Sequence, residues 1–182
     1  MKIPLIPALF LSFTALFPAV HAADAAKINS VYTSLGVTDC KIIEENAKES
    51  WSKSACPGTS GYTLTLVEGD LRQSLDIVDP KGKTHPLELT STVSGGFSAL
   101  GAKAEWRVQK QAGKTVPIAM IVRFNVSEDP EHSEKITSYL VVSKITPNQA
   151  CVTDVVKPSK TANQQARDLA DTAATRECKQ ML

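Results

Sequence analysis

Thr115–Val126 carries Val116, Ile118, Met120, Val122 and Phe124 at alternate positions, an unbroken apolar face at the two-residue period of a β-strand. A helix of the same sequence would scatter these side chains around its circumference. Ala119, Ile121 and Arg123 occupy the other side, so this strand is expected to be central and covered on both faces.

The same period recurs along the chain. Tyr62–Val67 sets Leu64 and Leu66 on one face, and Leu71, Gln73, Leu75 and Ile77 share a face of the next run. Pro86–Val93 is expected to continue as a strand with Leu87 and Leu89 inward. Ala104–Gln111 places Trp106 and Val108 opposite Glu105, Arg107 and Gln109, with Trp106 expected in the core. Ile136–Ile145 and Cys151–Val156 are the last strands, and Val31–Leu35 is a short strand or turn. Gly69-Asp70, Asp79–Lys83, Ser94-Gly95-Gly96, Ala112-Gly113-Lys114 and Thr146-Pro147-Asn148 punctuate the runs at hairpin spacing. Thr161-Ala162-Asn163-Gln164 fits a capping box, and Ala166, Leu169, Ala170, Ala173 and Cys178 follow at helical spacing. The expected fold class is α+β: one meandering antiparallel β-sheet with a C-terminal α-helix packed on it and two disulfides.

Met1–Ala22 reads as a signal peptide. Lys2 supplies the charged start, Ile3–Val20 is an uncharged apolar run, and Val20-His21-Ala22 puts small residues at the two positions a signal peptidase reads. Pro4, Pro7 and Pro18 argue against a membrane anchor. Cleavage would leave residues 23–182 as a single globular domain with no further membrane span, in a periplasmic or secreted location. It would also take one lysine from 20 basic residues that face 19 acidic ones, for a formal balance of zero. That balance argues against a sequence-blind nucleic-acid partner, which needs excess positive charge.

Export decides how the cysteines read. Cys40, Cys56, Cys151 and Cys178 are an even set in an oxidising compartment, which implies two disulfides. Three pairings are possible; Cys40–Cys56 with Cys151–Cys178 is favoured because each closes a short local loop. Cys40–Glu44 and Ser50–Cys56 would then form a stapled hairpin turning at Asn46–Glu49, with a helix over Asp39–Lys53 as the competing reading. A metal site has little support: no C-x-x-C pair occurs, and His85 and His132 both read as exposed loop residues. No cofactor is expected.

Catalytic patterns are weak. Gly96 and Gly101 have the spacing of a phosphate loop, but Ala102 stands where the lysine belongs. No G-x-S-x-G elbow occurs. The most informative set is Arg72, Glu105, Arg107 and Arg123, each inside a strand among apolar neighbours. One reading is a cross-strand ion-pair ladder, with Glu105 or Arg107 facing Arg123. The other is a binding face in which these residues join Tyr62 or Trp106, residue types enriched at interfaces.

Cys56-Pro57-Gly58 with Gly61-Tyr62, Glu68–Arg72, Glu105-Trp106-Arg107 and Pro117-Ile118-Ala119 running to Arg123 form a pattern that spans most of the chain. On these segments the chain resembles an uncharacterised family of small exported (periplasmic) proteins of Gram-negative bacteria. The resemblance implies a periplasmic or secreted protein and carries no activity or catalytic residue with it. The expected function is therefore non-catalytic: a binding, inhibitor or accessory protein of the bacterial envelope, whose partner is an envelope or extracellular protein or an anionic ligand. A carboxylate-based periplasmic hydrolase drawing on Asp70, Glu105 or Glu68 is the first alternative, and a structural envelope component the second.

Overall fold

A computed structural model describes residues Lys27–Leu182; the signal-peptide reading lies outside the described residues. The described residues form ten strands, two short α-helices and a 3-10 turn at Ala173–Thr175: β1 Ile28–Ser34, β2 Lys41–Asn46, β3 Trp51–Cys56, β4 Thr63–Gly69, β5 Arg72–Val78, β6 Thr84–Pro86, α1 Leu89–Thr92, β7 Phe97–Gln111, β8 Lys114–Ser127, β9 Ile136–Ile145, β10 Ala150–Val156 and α2 Ala162–Asp171. All pairings are antiparallel.

The strands form two sheets, which corrects the single meander. One has the order β1-β7-β8-β9-β10 and the other β2-β3-β4-β5-β6. Their facing sides share one core that includes Leu64, Leu75 and Ile77 from one sheet and Trp106, Met120, Val122, Phe124 and Val141 from the other. The outer face of the first sheet carries α2 over Ala119, Ile121, Leu140 and Val142. β8 is thus the central strand, covered by the second sheet on one side and by the helix on the other, as its two apolar faces require.

The β2–β3 hairpin forms as expected, with Cys40–Cys56 closing its open end. Three local expectations fail. Leu71 is not on an inward strand face: Asp70 and Leu71 form a two-residue hairpin loop with φ 50° and 57°, and Leu71 is 73% exposed. Pro86–Val93 is not a strand either. Pro86 has no N–H to extend the ladder, Glu88 turns the chain at φ 49°, and α1 follows, still burying Leu87 and Leu89. Finally, Thr161 makes no side-chain cap on α2, and Gln164 donates to Asp168 (2.8 Å) instead of reaching back.

Cys151–Cys178 is bonded, but Cys178 lies beyond α2. It pins the C-terminal tail to β10, not the helix. The tail continues along the sandwich through Lys179 N–H to Val152 O (2.7 Å) and Leu182 N–H to Ser91 O (2.8 Å). No helix of the described residues is long and apolar enough to cross a membrane.

Candidate functional site

The strand period and the helix period meet on the outer face of the first sheet. Glu105 and Arg107, two apart on β7, point to the side where α2 lies; Arg167 and Asp171, four apart, point down from α2. The charges are crossed, so each strand residue finds its opposite on the helix. Arg107 Nε and Nη2 donate to the two Asp171 oxygens at 2.6 and 2.8 Å. Arg167 Nε and Nη2 donate to the two Glu105 oxygens at 2.6 and 3.1 Å. Ser30 Oγ donates to Glu105 (2.5 Å) and accepts from Arg107.

The titration of these groups follows from that geometry. Burial alone would raise the Glu105 carboxyl, but the Arg167 fork, the Ser30 hydroxyl and the Arg167 charge outweigh it and hold it below its ordinary range. The hydrogen bonds that Arg107 donates to Asp171 and Arg167 donates to Glu105 stabilise the charged forms of the two arginines. The ladder expected across strands is therefore real in kind but runs from strand to helix. Within the sheet Glu105 faces Ile121 and Arg107 faces Ala119, so neither faces Arg123. The signal for this was available only as two separate periodicities, since Arg167 and Asp171 lie more than sixty residues from their partners.

Arg123 stands apart. It lies on the same outer face, opposite Leu140 of β9, in a cleft of about 220 Å³ at the N-terminal end of α2. Tyr32, Lys103, Glu105, Asn163 and Arg167 also line that cleft. Arg167 donates to Tyr32 Oη at 3.1 Å as well as to Glu105. Arg123 makes one side-chain hydrogen bond, Nη1 to Ser138 Oγ at 2.9 Å. Of the five arginines, Arg72 holds Asp70, Arg107 holds Asp171, Arg167 holds Glu105 and Arg176 holds Asp154; among the described residues Arg123 has no carboxylate. Lys103 has none either, so the cleft gathers three cations around one carboxylate already held in a fork. Gly101 makes room for the arginine: a Cβ there would lie 2.7 Å from Arg123 Cβ. Of the glycine pair read as phosphate-loop spacing, Gly101 lies within β7, where it serves close packing, and Gly96 immediately precedes the strand.

The remaining sequence candidates lie elsewhere. Arg72 is on the second sheet, where it bonds Gly95 O (2.8 Å) and covers the Phe97 ring at 4.8 Å. Tyr62 packs 6.2 Å from the Trp106 ring and lines a separate cavity of about 280 Å³ at one end of the sandwich, with Asp79, Pro80, Pro117 and Pro147. Trp106 is fully buried, its Nε1 donating to Thr33 Oγ1 at 2.9 Å. His85, expected to be exposed, is buried: Nδ1 accepts Ala150 N–H at 3.3 Å and Nε2 lies 3.5 Å from Asp79. Asp79 is held below the ordinary carboxylate range chiefly by the Lys83 N–H, then by the Lys81 N–H and His85.

Sequence reasoning missed Asp76. This half-buried acid sits on the outer face of the second sheet; burial first, and Glu88 second, push its carboxyl upward. Nearby, Trp51, Lys53, Glu68, Arg72 and Glu88 line a shallow groove. Among the described residues no group of three metal-ligating side chains forms a metal site. Comparison with family models, with curated proteins and with solved structures gives no match.

Proposed function

We propose that this chain is a non-catalytic binding protein of an oxidising, exported compartment, periplasmic or secreted, and that it takes an anionic group in the cleft beside α2. The two disulfides suit that compartment. One observation carries the functional reading: Arg123 and Lys103 line one cleft and, among the described residues, neither is paired with a carboxylate, while the cleft's own Glu105 is held by Arg167 and every other arginine has an acid of its own. A guanidinium held by a single hydroxyl keeps donors free for a carboxylate or phosphate oxygen. The Glu105–Arg167 fork and Gly101 hold the walls of the cleft, so the site is formed before the ligand arrives.

The test is a titration of inorganic phosphate and of succinate into the labelled protein, followed by NMR at the Arg167 Nε–H and at the backbone amides of Lys103 and Asn163, which line the same cleft. Saturable shifts that weaken with salt and vanish in Arg123→Gln are expected. Equal shifts in Arg123→Gln, or none at tens of millimolar anion, would reject the cleft.

A carboxylate hydrolase is the second reading, and it rests on Asp76 and Glu88 rather than on Asp70, Glu105 or Glu68. A raised acid beside a second acid, next to a groove with an aromatic wall, is the arrangement such chemistry uses. It requires turnover of a glycoside or peptide substrate that both Asp76→Asn and Glu88→Gln abolish; turnover that survives either substitution excludes it.

A further inference from the structure

Helix α2 covers only part of the outer face of the first sheet. The strand register places Arg123 beside Leu140, Asn125 between Ala99 and Ser138, and Ser127 between Phe97 and Ile136, on that same face. Beyond the cationic cleft no helix among the described residues covers the face. Its far end is a shallow groove of about 490 Å³, walled by Leu71, Phe97, Ala99 and Ile136. Leu71, Phe97 and Ile136 are 73%, 44% and 54% exposed. Three large apolar side chains converging at one corner are a concentration that solvent alone does not favour.

Leu71 is also held at a cost. It occupies the second position of a two-residue hairpin loop, at φ 57°, where glycine is the favoured residue. The left-handed conformation costs a non-glycine residue roughly 1 kcal/mol or more, and here it displays a leucine to solvent. A buried leucine would offset that cost; an exposed one does not, unless something covers it.

Charge gives the helix-free part of the face a direction. One end holds Arg123 and Lys103. The other end adjoins the β8–β9 loop, where Glu128, Asp129, Glu131 and Glu134 outnumber Lys135. At that end Arg72, itself paired with Asp70, covers the Phe97 ring and Tyr139 Oη donates to Glu128, so the attraction for an acidic group lies at the Arg123 end. Four residues of strand separate Arg123 from Ser127, which is about 13 Å at about 3.3 Å per residue.

We propose that the helix-free half of this sheet face is the docking surface of a segment of another protein, one that sets a carboxylate about 13 Å from an apolar side chain. The carboxylate enters the Arg123–Lys103 cleft and the apolar side chain fills the Leu71–Phe97–Ile136 groove. This rests on the anion reading of the cleft and adds the partner's class and its spacing. In an extended segment that spacing is about four residues; in a helix it is about nine, at 1.5 Å per residue.

A random dodecapeptide library displayed on phage and selected on the purified protein provides the test. Enriched peptides should share an acidic and an apolar residue at one of those spacings. A synthetic peptide of the enriched sequence should lose tenfold or more in affinity in Arg123→Gln, in Phe97→Ser and in Leu71→Gly. Leu71→Gly relieves backbone strain, so loss of binding there is not loss of fold. If Arg123→Gln abolishes phosphate binding but Phe97→Ser and Leu71→Gly leave the peptide unchanged, the cleft reading stands and the docking surface falls. If the peptide ignores Arg123, the docking surface falls, and the cleft reading is decided by the phosphate titration alone. If no peptide is enriched, the docking surface is rejected; a dimer in sedimentation that Ile136→Asp disperses would then identify a second copy as the occupant.

Discussion

Arg107 and Asp171 meet in a planar fork, two hydrogen bonds of 2.6 and 2.8 Å that tie β7 to α2 across 64 residues of sequence. The guanidinium is the more buried partner, with side-chain exposures of 10% for Arg107 and 30% for Asp171. The helix buries chiefly Ala166 and Ala170, with Ala173 just beyond its end, so its apolar contact is thin. This fork and the Glu105–Arg167 fork beside it supply the orientation that small side chains do not.

Asp171→Asn takes the bidentate partner from the buried Arg107 and leaves Glu105, 3.8 Å away, as its nearest charge; it should cost about 2 kcal/mol. The double variant Arg107→Met/Asp171→Leu should cost much less, because it removes the charge along with its partner. Urea unfolding of the three proteins, with unchanged slopes, checks this.

Glu105 has a folded-state pKa below its unfolded value of about 4.5. Its contribution to stability is thus fully present above that value and is lost as pH falls through the lower, folded pKa. The two arginines titrate far above this window. Thermal midpoints measured from pH 7 to pH 3 should fall at the acid end, and Glu105→Gln should start lower and fall less steeply. Asp76 has the opposite sign: its raised pKa makes its ionised form unfavourable at neutral pH, a penalty relieved as pH falls below the folded value. Asp76→Asn should raise the midpoint at pH 7.

Cys151–Cys178 closes a separation of 27 residues, for which chain entropy gives roughly 3.5 kcal/mol. The double serine variant should lose on that order of stability. In native-state hydrogen exchange, the amides of Lys179 and Leu182 should lose protection first, because the bond secures the tail. Amides of α2 should remain protected by the two forks. Early exchange throughout α2 would show that the disulfide secures the helix instead.

Gly101→Ala would place a methyl group 2.7 Å from Arg123 Cβ and displace the arginine across the cleft. Phosphate affinity should fall about fivefold, which is ~1 kcal/mol. The atom met is Arg123 Cβ, which is fixed to the β8 backbone, so the phosphate-induced shifts at the cleft should weaken together with a fall in the thermal midpoint.

Leu71→Gly should raise stability by about 1 kcal/mol by relieving the left-handed strain at φ 57°. Chemical unfolding measures it directly. A gain in stability joined to a loss of peptide affinity would show what the strained leucine is for.

The sequence by itself determined the local elements. Alternation at two residues marked β8 and its neighbours, turn residues marked most of the hairpins, and cysteine spacing favoured the two disulfide pairs that form. Each of these signals spans only a short stretch of chain. Tertiary structure decided the rest, because alternation shows that a strand buries one face without naming what covers it. The split into two sheets depends on β1 pairing with β7, as in Ile28 with Gln109, and no local period encodes that pairing. His85 is buried because β10 comes to lie beside β6 and brings Ala150 to its ring. Arg107 and Arg123 look alike in sequence, each an arginine between apolar residues on a strand. Docking of α2 gives Arg107 a carboxylate and stops short of Arg123, so only the placement of the helix separates the arginine paired across the layers from the one that holds no carboxylate among the described residues.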